Sequence, residues 1–139
     1  MPPPTVPGAP RPPERLPGDP PSPFEEQFAY SRIVRAGDFV FISGTTSITP
    51  EGAVCGVTPY EQAVEIFTKI LHELERVGLG AADVIQNRMY VTDISRSDEV
   101  GRAHGEFFAD HRPLATMVEV SGLIDPRMLV EVETIAHAG

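Results

Sequence analysis

The residues whose types and spacing suggest chemistry lie in a few short stretches. Leu129-Val130-Glu131-Val132-Glu133 alternates apolar and acidic positions, so in a strand Glu131 and Glu133 point to one face. Two neighbouring carboxylates raise each other's pKa, which suits acid–base work, and each reads equally as a strand residue paired with an arginine. Arg88 and Tyr90 share a face of another strand, Val84 to Thr92. Arg88 reads either as a cation for an anionic ligand or as the buried partner of Glu119, Glu131 or Glu133, because charged side chains are seldom buried unpaired. His104 carries an imidazole with an ordinary pKa of about 6.5, suited to moving a proton, or to packing on a semi-apolar helix face. Ser43-Gly44-Thr45-Thr46 follows a strand and can offer backbone N–H groups to a ligand, without the spacing of a phosphate loop or a nucleophile elbow. Cys55, the single cysteine, has no histidine near it in sequence and reads as an inert thiol. His72, His111 and His137 are scattered and form no metal-ligand spacing.

These groups must be positioned by a small number of elements. Phe28 to Val34 reads as a strand, Ala36-Gly37-Asp38 as a turn, and Phe39 to Gly44 as the second strand of a hairpin. Thr58-Pro59-Tyr60-Glu61 has the cap, the proline and the acid of a helix start. Apolar residues from Ala63 to Val77 follow at helical spacing, and Gly78 or Gly80 closes the helix. Its wet face carries Glu65, Lys69, Glu73 and Arg76. The strand Val84 to Thr92 comes next, then a helix from about Asp98 to Phe108, then strands Ala115 to Val120 and Met128 to Ile135. The order β-β-α-β-α-β-β predicts an α+β domain, a mixed sheet with two helices on one face. The other sheet face is also partly apolar and therefore expects a second subunit.

Composition narrows the class. Of 15 prolines, 11 fall in residues 1–23, which predicts a disordered Pro-rich extension followed by one domain over residues 24–139. The formal charge of −9, from 11 basic and 20 acidic residues, is the reverse of a nucleic-acid grip, so DNA is not expected as a partner and RNA is disfavoured. A lone cysteine excludes an internal disulfide and a Cys-based metal site. No apolar run approaches the ~20 residues of a membrane helix and no secretion signal is visible, so the expected compartment is the cytoplasm.

Several blocks, in order, carry a family resemblance. Ala29-Tyr30-Ser31 before Val34-Arg35-Ala36-Gly37-Asp38, the strand Val40 to Gly44, Asp83-Val84 through Tyr90-Val91-Thr92-Asp93, Arg112-Pro113, Met117-Val118-Glu119-Val120 and Leu129 to Ala136 together resemble the Rid (reactive intermediate deaminase, YjgF-like) family. The resemblance implies a chorismate-mutase-like fold, a homotrimer with clefts between subunits, no cofactor and no metal, and hydrolysis of reactive enamines or imines. It assigns Glu131 to the attacking water and Tyr30 to the cleft wall. It brings Ala115, Thr116 and Met117 to the substrate, and it puts His104 on the helix that flanks the cleft. The deaminating subgroup has an arginine at the position of Ala115, where it binds the substrate carboxylate. Alanine offers no such clamp, and Gly101 stands where the family has a helix asparagine. The expected function is therefore hydrolysis of an enamine or imine other than the usual 2-imino acids, with Glu131 and His104 catalytic and Arg88 available as a replacement cation. The alternatives are a non-catalytic binder of a small molecule and, with less support from the charge balance, a ribonuclease or translation inhibitor.

Overall fold

A computed structural model describes residues 11–139. Six strands form one sheet in the order β1-β2-β3-β6-β4-β5: β1 Glu14–Leu16, β2 Ile33–Ala36, β3 Phe39–Thr45, β4 Val84–Val91, β5 Leu114–Glu119 and β6 Val130–His137. All neighbours are antiparallel except β4 and β5, which run parallel. The helices are α1 Pro23–Phe28, α2 Pro59–Arg76 and α3 Ser97–Phe108. The α+β reading with helices on a mixed sheet is thus realised. No helix among the described residues is long and apolar enough to cross a membrane.

The helix start at Thr58 forms as its sequence predicts. Thr58 Oγ1 accepts from Glu61 N at 3.1 Å, and the hydroxyl donates to Glu61 Oε1 at 2.9 Å. Ile66, Phe67, Ile70 and Leu74 then reach full burial against Val40, Val130, Val132 and Ala136 of the sheet and Val100 and Phe108 of α3. Each such side chain contributes roughly 1.5–3 kcal/mol. Gln62 is also fully buried. Its amide donates to Gly56 O and Arg127 O and accepts from Leu129 N at 2.8 Å, so α2 fixes the chain just ahead of β6. Alternation along β6 sends Val130, Val132, Thr134 and Ala136 into the core and Glu131, Glu133, Ile135 and His137 to the opposite face.

The structure corrects three expectations at the N-terminal end and on α2. The first hairpin strand begins at Ile33, not Phe28, because Ser22, Pro23 and Glu25 form the start of α1, which ends at Phe28. The extension was expected to run to residue 23, but from Glu14 on it lies against the domain; its first ten residues fall outside the described ones. Glu14–Leu16 adds an edge strand to β2, and Leu16 packs on the core. Proline tolerates an edge, where a missing N–H leaves no ladder bond broken. Finally, two residues of the expected wet face of α2 turn inward. Glu73 is buried and accepts from Asp19 N at 3.0 Å while pairing with Arg76, and Lys69 is drawn towards the loop after β3. The arm from Pro17 to Ser22 covers that side of α2, with Arg76 Nη1 donating to Pro17 O and His72 Nε2 donating to Asp19 O.

Glu25 holds this arrangement together. Its buried carboxylate accepts from Gly18 N at 2.8 Å and Ser22 N at 2.6 Å, and faces Arg32 Nη2 at 3.6 Å. Replacing Glu25 by alanine removes the cap and leaves Arg32 uncompensated. The expected cost is about 3 kcal/mol, seen as a fall of about 10 °C in the thermal midpoint. An unchanged midpoint would show that the arm is not fastened in this way.

Candidate functional site

The site is built where β3 loses register with β6. Ile42 pairs with Thr134 but Thr45 pairs with Val132, so β3 carries one extra residue across Ser43 and Gly44. Arg32 stabilises this bulge. Its Nη1 donates to Gly44 O at 2.9 Å, Ser43 O at 3.2 Å and Thr45 Oγ1 at 3.0 Å. Arg32 is itself 7% exposed, stacked 5.7 Å from the Tyr30 ring and paired with Glu25. The Glu131 side chain crosses the bulge so closely that a Cβ on Gly44 would fall on its Oε2. Glycine at 44 is therefore the condition for the carboxylate to lie there.

Glu131 borders a cleft of about 280 Å³ whose wall also includes Tyr30, Arg32, Ser43, Lys69 and Met128. Burial raises the Glu131 pKa above the ordinary value of 4.5; Arg32 acts in the opposite direction and Glu133 adds to the rise. Lys69 is the other cation at this wall. Its Nζ donates to Thr46 O at 2.6 Å and Ile48 O at 2.9 Å, and burial, with Arg32 nearby, lowers its pKa to about 8. The Tyr30 hydroxyl lies 3.2 Å from Ser22 Oγ at the mouth. A carboxylate with raised pKa, two cations and a phenol around a cleft of this size can bind a small polar molecule and move a proton at it. No group of three or more His, Cys, Asp or Glu side chains among the described residues converges as a metal site.

The remaining predicted residues fall elsewhere. Arg88 is exposed on the open sheet face, directly across from Glu133 in register, and makes no ion pair among the described residues. The buried-pair reading of Arg88 concerns the interior of a trimer; in the single chain the side chain is open to solvent. Glu133 instead accepts a hydrogen bond from the Tyr90 hydroxyl, which raises the Tyr90 pKa. Arg88 and Tyr30 line opposite parts of a wider depression, about 550 Å³, beside the cleft. Ala115, Thr116 and Met117 lie on β5 at the far edge of the sheet and border neither space.

His104 is on the wrong side of the sheet to work with Glu131. Its Nε2 is 3.0 Å from Nδ2 of Asn87, a fully buried residue of the helix-facing side, and its ring packs on Phe67 and Phe108. Thr134 Oγ1 donates to Asn87 Oδ1 at 2.7 Å, so the Asn87 amide must donate to Nε2 and the imidazole is the neutral Nδ1–H form. Burial lowers its pKa in the same sense. Within the single chain its place is therefore a packing one, away from Glu131.

Two cleft residues escaped the sequence reading. Arg32 opens an apolar strand, and nothing in the spacing shows that Glu25 will bury it. Lys69 did carry a signal: it is the only lysine in a chain of 139 residues.

Comparison with known proteins agrees with this architecture. Residues 22–138 match the family model described as Endoribonuclease L-PSP. An uncharacterised protein of Streptomyces coelicolor is 40% identical over 85% of this chain and 88% of its own length. A RutC family protein of Pyrococcus abyssi is 31% identical over 78% and 85% respectively. Among solved structures, a Mycobacterium tuberculosis member of the YjgF/YER057c/UK114 family superposes with a TM-score of 0.80 at 38% identity, covering 90% of this chain and 98% of that one. A Rid family protein of Yersinia pestis gives 0.73 at 25% identity, covering 78% and 86%.

The close approach at Gly44 can be tested directly. Gly44→Ala meets only the free end of the Glu131 side chain, so the variant should fold with a thermal midpoint within about 2 °C of the parent. In its crystal structure the Glu131 carboxylate should have turned away from the bulge. An undisplaced carboxylate would contradict the geometry described here.

Proposed function

The chain belongs to the endoribonuclease L-PSP family, the YjgF/Rid proteins, and on that premise we propose that its cleft binds a small reactive metabolite and hydrolyses a C=N bond in it. The observation that carries this reading is the placement of Glu131, half-buried over Gly44 in the same cleft as Tyr30 and Arg32. Hydrolysis of an imine needs water to lose a proton as it attacks carbon. An ionised Glu131 takes that proton, and the carbinolamine that forms collapses to a carbonyl compound and the free amine or ammonia. A strand carboxylate beside a bulge fixed by Arg32 keeps its direction between turnovers. Tyr30 offers a flat face and one hydroxyl to an unsaturated substrate.

The assembly belongs to the same proposal. Phe39 and Phe41 on β3 and Leu114 and Val118 on β5 are exposed in the single chain. An apolar face of this kind suits burial against other subunits, and a homotrimer would bring β5 of one protomer, with Ala115, Thr116 and Met117, to the cleft of the next. Alanine at 115 has no charge for a substrate carboxylate, so the proposed substrates are imines or enamines other than simple 2-imino acids. A ribonuclease reading gains nothing from the cleft, where both Arg32 and Lys69 already spend donors on backbone carbonyls.

Glu131→Gln keeps the shape and loses the base. With an enamine or imine generated in situ by an amine oxidase, turnover should fall about 10²–10⁴-fold, with the thermal midpoint and the mass in solution unchanged. Full turnover by this variant would reduce Glu131 to a structural residue and leave the cleft a binding site.

A further inference from the structure

A second cavity, about 330 Å³, lies beneath the N-terminal arm. The arm residues Pro20 and Pro21 face Ile48 and Pro50 of the loop after β3, and the outer side of α2 forms the floor. The cavity is separate from the Glu131 wall but shares Ser22, Arg32, Ile48 and Lys69 with the cleft. Lys69 is thus the residue of α2 that borders both spaces. Of the 11 basic residues in the chain, ten are arginine, and the one primary amine on a side chain is placed here.

The surroundings of that amine are specific. An ammonium has three N–H donors and a neutral amine has two. Lys69 Nζ meets two acceptors, Thr46 O at 2.6 Å and Ile48 O at 2.9 Å, and among the described residues no carboxylate lies within ion-pair distance. Two acceptors satisfy both donors of the neutral amine and leave its lone pair free. Lys69 is half-buried beside another cation, Arg32, with Glu65, Cys55 and Glu25 acting more weakly in the opposite direction, and a partly desolvated lysine next to a cation is an arrangement that makes an amine nucleophilic near neutral pH. With the pKa at about 8, about one Lys69 in ten is neutral at pH 7, some two orders of magnitude more than an ordinary lysine. Arginine in the same place could hold the two carbonyls but could not attack.

We propose that Lys69 is a covalent capture site for small aldehydes and ketones, which enter the cavity beneath the arm and form an imine on its Nζ. The lone pair forms the C–N bond while the carbonyl π pair moves to oxygen, which takes a proton. The carbinolamine then expels that oxygen as water as nitrogen gives up its proton, leaving C=N. Glu65, on the same wall, is a carboxylate able to carry that proton. The proline and isoleucine side chains on the cavity wall favour a short carbon chain. The inference does not require Glu131 to be a base, so the two proposals stand or fall separately.

The full chain would be incubated at pH 7 with propanal and cyanoborohydride, which fixes the imine as a propyl amine. Peptide mapping separates Lys69 from the only other primary amine, that of the N-terminus. Lys69 should be propylated at least about 10-fold faster than Nα-acetyl-lysine under the same conditions, with a rate that saturates as propanal is raised. Glyoxylate in place of propanal shows whether Arg32 adds affinity for an anionic carbonyl; preference for either probe supports the site. Lys69→Arg should keep the thermal midpoint and confine labelling to the N-terminus. Labelling of Lys69 no faster than Nα-acetyl-lysine, or without saturation, would overturn the proposal and leave Lys69 as a tie between α2 and the loop.

Discussion

The Arg32 guanidinium is buried between the N-terminal arm and the bulged end of β3, and the cleft is arranged around it. One edge of the group bonds Ser43 O, Gly44 O and Thr45 Oγ1, and the other faces Glu25. Three backbone or hydroxyl acceptors and a carboxylate offset the cost of removing the charge from water. The same contacts fix the extra residue in β3, and the bulge is what lets the Glu131 side chain pass over Gly44. Arm, bulge and carboxylate are consequently one device. The arm owes its place to Glu25, Glu25 is paired with Arg32, and Arg32 shapes the strand that Glu131 crosses.

The sheet divides two kinds of chemistry. On the helix side, Asn87 links Thr134 to a neutral His104 among the rings of Phe67 and Phe108, a polar network in which the Thr134 hydroxyl and the Asn87 amide each find an acceptor. On the other side lie Glu131, Glu133, Tyr90 and Arg88, half-buried or exposed. Glu133 and Tyr90 satisfy one another. Glu131 has Gly44 beneath it and Arg32 near it, and its carboxylate remains open to the cleft. That difference separates the two glutamates, although they are two residues apart on one strand.

Much of this was legible in the sequence. The capped start of α2 at Thr58, the hairpin around Gly37 and the alternation that puts Glu131 and Glu133 on one face follow from local rules, since each depends on neighbours within a few residues. The family resemblance supplied the type of fold and pointed to Tyr30 and Glu131. What escaped depends on contacts far apart in sequence. His104 has helical spacing that fits a flanking position, and only its bond to Asn87 shows which face it serves. Arg32 is recognisable as buried only once Glu25 and the bulge are in place. Lys69 and Glu73 sit at polar positions of an amphipathic helix and were drawn inward by the loop after β3 and by the arm. The Pro-rich composition of residues 1–23 gave no sign of the edge strand, which draws on backbone groups from Glu14 to Leu16.

The central claim is that Arg32 and the bulge hold Glu131 in a half-buried state from which its carboxylate can work as a base. The most direct measurement is the pH titration of the Glu131 δ-carbon by NMR in the full-length protein. Burial outweighs the attraction of Arg32 in the structure, so the midpoint should lie above the ordinary glutamate value of 4.5. A midpoint at or below 4.5 would mean that Glu131 is solvated or fully paired with a cation, and would contradict the account.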